Sequence, residues 1–222
     1  MNSITDFGAV ADGKTINTKP IQAAVDACAA AGGGCVVVPA GTFVSGSIFL
    51  KSNVEFHLSP GARLLGSPNL ADYELLDVEG HGYHIQGWLY AALLTSCKCT
   101  NVSITGTGIV DGNGPVWWVE KNRVSDFEAA FRKAGPMKGI RPPNLLFFDC
   151  TRVKVRDVKL MNSPMYHVLP ILSRDIVIDG ISIESPWMPY NNCDGIDIMS
   201  CKDVRVSNCH VDTGDDGICL KT

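Results

Sequence analysis

The amino-acid sequence predicts an all-β protein built as a β-solenoid, in which short strands stack coil upon coil next to a helix near the N-terminus. The first observation is an internal repeat. Residues 153–160 match residues 176–183 at an offset of 23, and residues 204–211 match the latter at an offset of 28. Residues 102–104 and 107–109 match the series that begins at residue 153 at an offset of 51, which predicts a separation of roughly two coils. The second observation is the alternation of apolar and polar residues, which predicts one face in a stacked core and one in solvent.

A short amphipathic helix is predicted over residues 18–31. Thr18 is the expected N-cap, Pro20 lies in the first turn, and apolar residues follow at positions 21, 24, 25 and 28. Three consecutive glycines end the helix, and residues 35–39 then form a short buried strand that ends at a proline. We expect the helix to cover the open end of the solenoid and protect its edge.

One domain is predicted over residues 1–222, with the helix at 18–31 and the coils from about 43 to 222. No linker or shift in composition marks a second domain. Leucine-rich repeats share the repeat length, but their leucine pattern and asparagine ladder are absent. A β-sandwich is the remaining alternative, and the constant offset between whole strand pairs argues against it.

Composition restricts the class of protein. With 45% hydrophobic and 19% charged residues, the chain is expected to fold rather than to be disordered. The net charge of −4 without a basic block argues against nucleic acid as a partner, and no apolar run approaches the roughly 20 residues that span a bilayer. Nine cysteines without fixed spacing argue against a complete disulfide framework. Because the N-terminus has no signal-peptide pattern, we expect a reducing, cytoplasmic compartment, or an extracellular or periplasmic one if a leader has been removed.

Carboxylates and glycines concentrate in two segments, residues 191–198 and 213–220. Aligning their strands at an offset of 22 places Asp194 beneath Asp216, one coil away, and stacked strands lie about 4.8 Å apart. Two carboxylates at that distance disfavour joint ionisation, so at least one pKa should be raised. Asp215 adjoins Asp216, and the flanking glycines permit a bend that turns both into one cleft. Three convergent acids suit glycoside hydrolysis, in which one carboxyl group protonates the leaving oxygen and the others activate water.

Other interpretations of these residues remain open at this point. Asp-Gly pairs are ordinary turn residues, and clustered carboxylates also bind cations. Outside the two segments, the pairs Cys97/Cys99 and His81/His84 are weak metal candidates, since neither has an evident further ligand. The two tryptophans at 117–118 either stack on sugar faces or pack beneath a loop.

Two acidic motifs occur in order, NCDGID at 192–197 and GDD at 214–216. Further matching segments extend through most of the chain, namely DFGAVADG at 6–13, VPAGTF at 38–43, GNGPVWW at 112–118, RPP at 141–143 and NSP at 162–164. Together these motifs resemble those of the polygalacturonases, glycoside hydrolase family 28. The resemblance implies a right-handed, single-stranded parallel β-helix. It also implies an inverting hydrolysis of α-galacturonosyl linkages in pectin or polygalacturonate, with no metal and no cofactor.

The resemblance also assigns roles to the three aspartates. Asp215 is the expected general acid, and Asp194 and Asp216 are expected to hold and activate the water. Cys193 stands where relatives commonly have Thr or Asn, which is a tolerated exchange of small residues.

Three further residues are candidates for substrate binding. Asn192 is expected to position a carboxylate or to contact the sugar. Lys221 follows the strand of the double aspartate, where it could meet a uronate carboxylate. His167 is shifted relative to a Trp-x-x-His-Pro segment of the family, so it is either a subsite residue or a histidine without contact to substrate.

The sequence also departs from the family pattern at its C-terminal end. Family members follow the double aspartate with a His-Gly and then an Arg-Ile-Lys motif, and neither occurs before residue 222. These motifs support the acid and bind the substrate carboxylate, so the domain is expected to be an incomplete parallel β-helix. The activity of this chain alone is therefore left open.

Four functional hypotheses follow from these observations. The first is a glycosidase of the polygalacturonase type that acts on a galacturonate-rich polysaccharide or oligosaccharide. The second is a pectate-lyase-like enzyme, which would need calcium and an arginine base. The third is a non-catalytic carbohydrate-binding β-helix, and the fourth is a purely structural solenoid. The expected oligomeric state is a monomer, without nucleic-acid or membrane partners.

Overall fold

Short strands separated by tight bends wind into successive coils, and equivalent strands of neighbouring coils pair in parallel. The computed structural model describes residues 1–77, 88–118, 141–186 and 192–221. These residues form three parallel sheets, one α-helix and a small antiparallel ribbon. The predicted all-β solenoid is thereby confirmed, and its architecture is a parallel β-helix.

The strands and the helix have the following bounds in chain order: β1 (Asn2–Ser3), β2 (Asp12–Ile16), α1 (Thr18–Ala30), β3 (Gly34–Val38), β4 (Gly41–Ser45), β5 (Ile48–Leu50), β6 (Val54–Leu58), β7 (Ala62–Gly66), β8 (Leu75–Asp77), β9 (Trp88–Tyr90), β10 (Leu94–Cys97), β11 (Thr100–Gly106), β12 (Ile109–Asp111), β13 (Leu145–Phe148), β14 (Thr151–Arg156), β15 (Lys159–Met161), β16 (Val168–Ile171), β17 (Arg174–Asp179), β18 (Ser182–Glu184), β19 (Ile196–Met199), β20 (Lys202–Ser207), β21 (His210–Asp212) and β22 (Ile218–Lys221). Short 3-10 turns lie at Ile4–Phe7, Leu70–Asp72 and Gly114–Val116.

Each full coil passes through the three parallel sheets in turn. Sheet A has the order β1-β3-β6-β11-β14-β17-β20, sheet B the order β2-β4-β7-β12-β15-β18-β21, and sheet C the order β5-β10-β13-β16-β19-β22. Alternate residues of a strand face the interior, as in β6, where Val54, Phe56 and Leu58 are buried. The inward side chains of successive coils stack into one apolar core that runs along the solenoid. Strands ahead of residue 43, the predicted start of the coils, already belong to these sheets.

The predicted repeat offsets correspond to the pairing of strands in most coils. Val153 pairs with Ile176, and Ile176 pairs with Val204, which confirms the offsets of 23 and 28. Val102 pairs directly with Val153, so 51 residues make one coil and the predicted separation of two coils is wrong.

The second strand of the same coil is out of the predicted alignment by one residue. An offset of 51 aligns Ile109 with Leu160, whereas in the structure Val110 pairs with Leu160. Val110 is accordingly the residue that is buried in the core. A shift of one residue exchanges the two faces of a strand, so the burial of Val110 decides the pairing.

Bends between sheets C and A recur at two positions of each coil, where non-glycine residues adopt left-handed backbone conformations. The two columns consist of Lys98, Asp149, Leu172 and Ser200, with φ from 49° to 53°, and of Asn101, Arg152, Asp175 and Asp203, with φ from 54° to 59°. Asn and Asp tolerate this region, while a bulky residue such as Leu172 occupies it at a cost of roughly 1–2 kcal/mol. The stacking of coils therefore imposes the bend even where the local residue disfavours it.

The helix α1 confirms the prediction to within one residue, and its buried residues are the predicted ones, at 21, 24, 25 and 28. Its cap differs from the expectation. Asn17 is the N-cap residue, and its side-chain amide accepts from the Val10 amide at 2.7 Å. Thr18 lies inside the helix, where its hydroxyl accepts a hydrogen bond from the Gly46 amide at 2.8 Å. The helix packs on β3, β5 and β6 of the first coils, as predicted for a cap. No helix among the described residues is long and apolar enough to cross a membrane.

Candidate active site

Two neighbouring strands of sheet C bring the predicted aspartates together. In the pairing of β19 with β22, Ile196 lies opposite Ile218 and Asp197 opposite Cys219, which is the predicted offset of 22. The hydrogen bond from the Gly195 amide to the Asp216 carbonyl, 2.8 Å long, continues this alignment back toward the two acidic motifs. Asp194 and Asp216 therefore lie on adjacent coils at the start of their strands, as the sequence predicts.

Asp194 is the buried member of the three predicted catalytic acids. It is 5% exposed, and among the described residues its Oδ1 atom has no hydrogen-bond partner. Burial, followed by the charge of Asp197, raises the pKa of Asp194 from 3.8 to about 7, while the ammonium of Lys221 opposes the shift. The charge of Asp215 adds to the rise. A carboxyl group with this pKa exchanges a proton near neutral pH, which suits acid-base chemistry.

Asp215 and Asp216 lie at the surface of the same centre. Both are exposed, and the Asp216 amide donates to Oδ1 of Asp215 at 2.9 Å. The end of sheet C thus carries one buried carboxyl group and two that are open to solvent, with carboxylate oxygens of Asp194 and Asp216 within 4.8 Å of each other.

A buried acid that the sequence argument did not assign completes the centre. Asp197 is fully buried, and burial raises its pKa although Lys221 partly opposes the shift. The Lys221 ammonium donates to Oδ2 of Asp197 at 2.6 Å and to Oδ2 of Asp194 at 3.4 Å. It also lies 4.4 Å from the centre of the Tyr166 ring, a cation–π contact. The signal for Asp197 was its position three residues after Asp194, but only the pairing of β19 with β22 brings Lys221 to it.

Lys221 is consequently held by protein carboxylates. Burial by itself would lower its pKa, but the hydrogen bond to Asp197 and the electrostatic interactions with Tyr166, Asp197 and Asp194 raise it above the usual value. In this arrangement the ammonium pairs with a buried acid, and its contact with a uronate carboxylate stays a prediction.

Cys219 is a second residue that the sequence argument missed. Its thiol donates to Oδ2 of Asp216 at 3.0 Å and lies 3.9 Å from Oδ2 of Asp194. Burial and the hydrogen bond to Asp216 raise the pKa of Cys219 to about 12, so the thiol keeps its proton. Ligand atoms of Asp194, Asp216 and Cys219 lie within 4.8 Å of one another, a set that could hold a cation. The adjacent ammonium of Lys221 opposes cation binding there by charge repulsion.

Asn192 lies at the surface beside this centre, in the left-handed backbone region with φ of 47°. Its side-chain oxygen accepts a hydrogen bond from Nη2 of Arg141 at 3.3 Å. Burial lowers the pKa of Arg141 to about 10. Cys193 is fully buried, and its carbonyl accepts from the Thr213 hydroxyl, so the exchange noted in the sequence is accommodated by packing.

His167 lies in the interior of the solenoid, and its part in substrate binding stays a prediction. The residue is fully buried, and burial lowers the pKa of its imidazole to about 4. Its Nδ1 lies 3.0 Å from the Asp194 carbonyl, and its Nε2 lies 3.0 Å from the Ser185 hydroxyl and accepts from the Ser163 amide at 3.4 Å. The neutral ring therefore braces the backbone of Asp194 from inside the solenoid.

The remaining candidates lie elsewhere. The Cys99 thiol lies 3.2 Å from the Cys97 carbonyl and 3.4 Å from the Leu50 carbonyl, and neither cysteine belongs to the metal-capable group found in the described residues. The pair His81/His84 lies outside the described residues.

Trp117 packs edge to face on Tyr73, with ring centres 6.0 Å apart, and the Trp118 indole donates to the Ser163 carbonyl at 3.3 Å. Both tryptophans therefore have packing roles.

Comparison with known proteins agrees with this arrangement. The profile of Glycosyl hydrolases family 28 matches residues 28–222. The chain belongs to this family. The family predicted from the acidic motifs is thereby confirmed.

Individual relatives show how much of a family 28 protein the chain represents. A probable polygalacturonase of Vitis vinifera is 33% identical over 227 positions, which cover 99% of this chain and 44% of that protein. The family 28 exopolygalacturonase of Yersinia enterocolitica superposes with a TM-score of 0.84 at 28% identity, covering 98% of this chain and 44% of that one. A hyperthermoactive exopolygalacturonase from Thermotoga maritima gives a TM-score of 0.79 at 32% identity, covering 99% and 54%. The chain thus spans about half the length of these relatives.

Proposed function

We propose that the protein represented by this chain hydrolyses α-galacturonosyl linkages of polygalacturonate or pectin. The observation that carries the proposal is the buried Asp194, stacked one coil from the exposed pair Asp215–Asp216 at the end of sheet C. Membership of a glycosidase family supports the reaction class, and the names of the relatives support the galacturonate substrate.

In the proposed mechanism Asp215 is the general acid that protonates the leaving glycosidic oxygen. Asp194 and Asp216 hold a water on the opposite side of the sugar and accept its proton. The raised pKa of Asp194, about 7, supports its role, because a base with a pKa near the working pH is both available and effective. Attack by water on the face opposite the leaving group inverts the anomeric centre.

The surrounding residues prepare this centre in the proposed mechanism. Lys221 donates a hydrogen bond to Asp197, which favours the ionised form of that acid, and it limits the rise in the pKa of Asp194. Cys219 orients the Asp216 carboxylate by its hydrogen bond. Asn192, exposed and supported by Arg141, is the residue that we assign to sugar contact.

Incubation of the chain with polygalacturonate tests the proposal. We expect new reducing ends without an ultraviolet-absorbing product, and proton NMR of the first product should give the β-anomer. An unsaturated, absorbing product that requires calcium would replace the proposal with a lyase. Binding without turnover would replace it with a carbohydrate-binding β-helix. Release of the α-anomer would keep hydrolysis but overturn inversion.

Asp215→Asn tests the assignment of the acid within an active protein. Loss of a general acid costs about 10²–10⁴-fold in rate. An activated substrate with a good leaving group should recover much of this loss, because its departure needs no proton. Full activity of Asp215→Asn on polygalacturonate would refute the role of Asp215.

A further inference from the structure

A groove crosses the outer face of sheet A, on a different sheet from the carboxylate centre. Its volume is about 660 Å³, and its lining comes from β11, β14, β17 and β20. Because these strands belong to four successive coils, the groove runs along the axis of the solenoid. It therefore has the shape to receive an extended chain rather than a compact molecule.

Basic side chains line this groove without neutralising partners. Lys154, Val177 and Arg205 occupy one column of paired positions, and Arg152 lies in the adjacent column of left-handed bends. Lys154, Arg205 and Arg152 are exposed, and within the described part of the chain none of them forms an ion pair. A nearby cation on the same face, Arg156, is by contrast bound to Asp179 at 3.0 Å.

The groove also contains two acids, which reduce its positive charge. Asp175 and Asp203 follow Arg152 in the column of bends, so the charged lining comprises three cations and two anions. Arg174 and Lys202, which immediately precede these acids in sequence and pair with each other across the sheet, add two exposed cations next to the lining residues. The lining and these two neighbours thus carry more cations than anions on a chain whose net charge is −4, a distribution that attracts anions locally.

We propose that this groove is a second binding site for an anionic polysaccharide of the polyuronate class, separate from the carboxylate centre. Successive coils lie about 4.8 Å apart, which is comparable with the length of one pyranose unit in an extended chain. A polyuronate carries one carboxylate on each sugar, so a chain lying along the axis presents one anion to each coil. Lys154 and Arg205 lie two coils apart and would bind alternate carboxylates, with Val177 beneath the intervening sugar.

The identity of the uronate rests on the proposed function, whereas the groove and its charges do not. A site of this kind would hold the polymer while the carboxylate centre acts on another part of it. Binding to the groove should therefore depend on the polymer and leave the reaction of short oligosaccharides unchanged.

Affinity electrophoresis of the chain in gels containing polygalacturonate tests this inference. The variant Lys154→Ala/Arg205→Ala should bind about 5–10-fold more weakly, since each exposed charge contact contributes modestly. Lys14→Ala/Lys19→Ala is the matched control, because it removes two exposed positive charges elsewhere and should bind like the parent. Asp203→Asn removes a repulsive charge from the groove and should bind more tightly. These differences should disappear in about 1 M salt, where the Debye length is about 3 Å.

Two further measurements separate this site from the proposed reaction. If the chain hydrolyses trigalacturonate, the groove variants should do so at the parental rate. If it does not, the electrophoretic comparison still stands by itself. Equal retardation of the groove variant and its matched control would overturn the inference. Stronger groove-dependent binding to a DNA duplex than to polygalacturonate would overturn the choice of polysaccharide.

Discussion

Carboxylates on two faces of the same coils have opposite electrostatic environments. Asp194 and Asp197, at sheet C, are buried, and burial raises the pKa of both. Asp179, on sheet A, accepts hydrogen bonds from Asn208, Ser207 and Arg156, which lower its pKa. The difference indicates that Asp179 stabilises the stacking of coils, whereas Asp194 and Asp197 are held in an unfavourable state that suits proton transfer.

The largest expected effect belongs to Asp194→Asn. We expect the rate of polygalacturonate hydrolysis to fall by about 10³-fold, because the proposed base is removed without a change in shape. The measurement is the initial rate of formation of reducing ends, with cooperative thermal unfolding as the control for folding. A variant that retained more than a tenth of the activity would contradict the role of Asp194 as a base.

The same substitution should stabilise the fold at alkaline pH. The folded state raises the pKa of Asp194 from 3.8 to about 7, so folding favours the protonated form. Its contribution to stability is complete below about pH 4 and is lost as the pH rises through 7. The measurement is the free energy of unfolding in urea, for the variant and the parent. We expect the difference between them to favour Asp194→Asn more at pH 8 than at pH 4, by on the order of 2 kcal/mol. An equal difference at both pH values would show that Asp194 ionises without cost.

Lys221→Met tests whether the Lys221 ammonium offsets the cost of burying the carboxylates of Asp194 and Asp197. Removing one partner of a buried ion pair costs about 3 kcal/mol, because the other charge stays buried. We expect this loss at pH 8 and a smaller one at pH 4, where Asp197 can be protonated. Lys221→Arg is the control that keeps the charge. A loss independent of pH would indicate packing of the lysine stem on Tyr166 instead.

Cys219→Ala should have a smaller effect, confined to catalysis. Loss of a hydrogen bond to a carboxylate costs about 1–2 kcal/mol, so we expect a decrease in kcat of roughly ten-fold. Cys219→Ser keeps a donor and should retain most of the activity. Equal losses in both variants would rule out the hydrogen bond as the cause.

The smallest effect is expected for Asp179→Asn, with a sign opposite to that of Asp194→Asn. A lowered pKa means that Asp179 stabilises the fold above its unfolded pKa and loses this contribution as the pH falls through the folded value. The variant should therefore have a lower Tm at pH 7 and approach the parental Tm near pH 2. Arg156→Met, which removes one of the donors, should reproduce part of the effect. A higher Tm at pH 7 would contradict the contrast between the two faces.

The sequence alone determined the solenoid, its period and the stacking of Asp194 on Asp216. Alternating apolar residues and constant offsets depend only on the chain, because parallel strands in a β-helix repeat the same local pattern. The offset of 22 between the two acidic motifs was therefore enough to place them on adjacent coils, as the pairing of β19 with β22 confirms. Where the sequence between two paired strands is longer, the repeat length no longer gives the number of coils. This happened for the 51 residues from Val102 to Val153, which make one coil.

Only the tertiary structure decided which ionisable and polar side chains contact one another. Lys221 contacts Asp197 on the adjacent coil, Cys219 donates to Asp216, and His167 lies buried beneath Asp194. Sequence spacing specifies the coil and the face of a residue, but burial and contact distance depend on every neighbouring coil. Since these two quantities set the pKa of a carboxyl group, the chemical state of the aspartates follows from the fold and not from their motif.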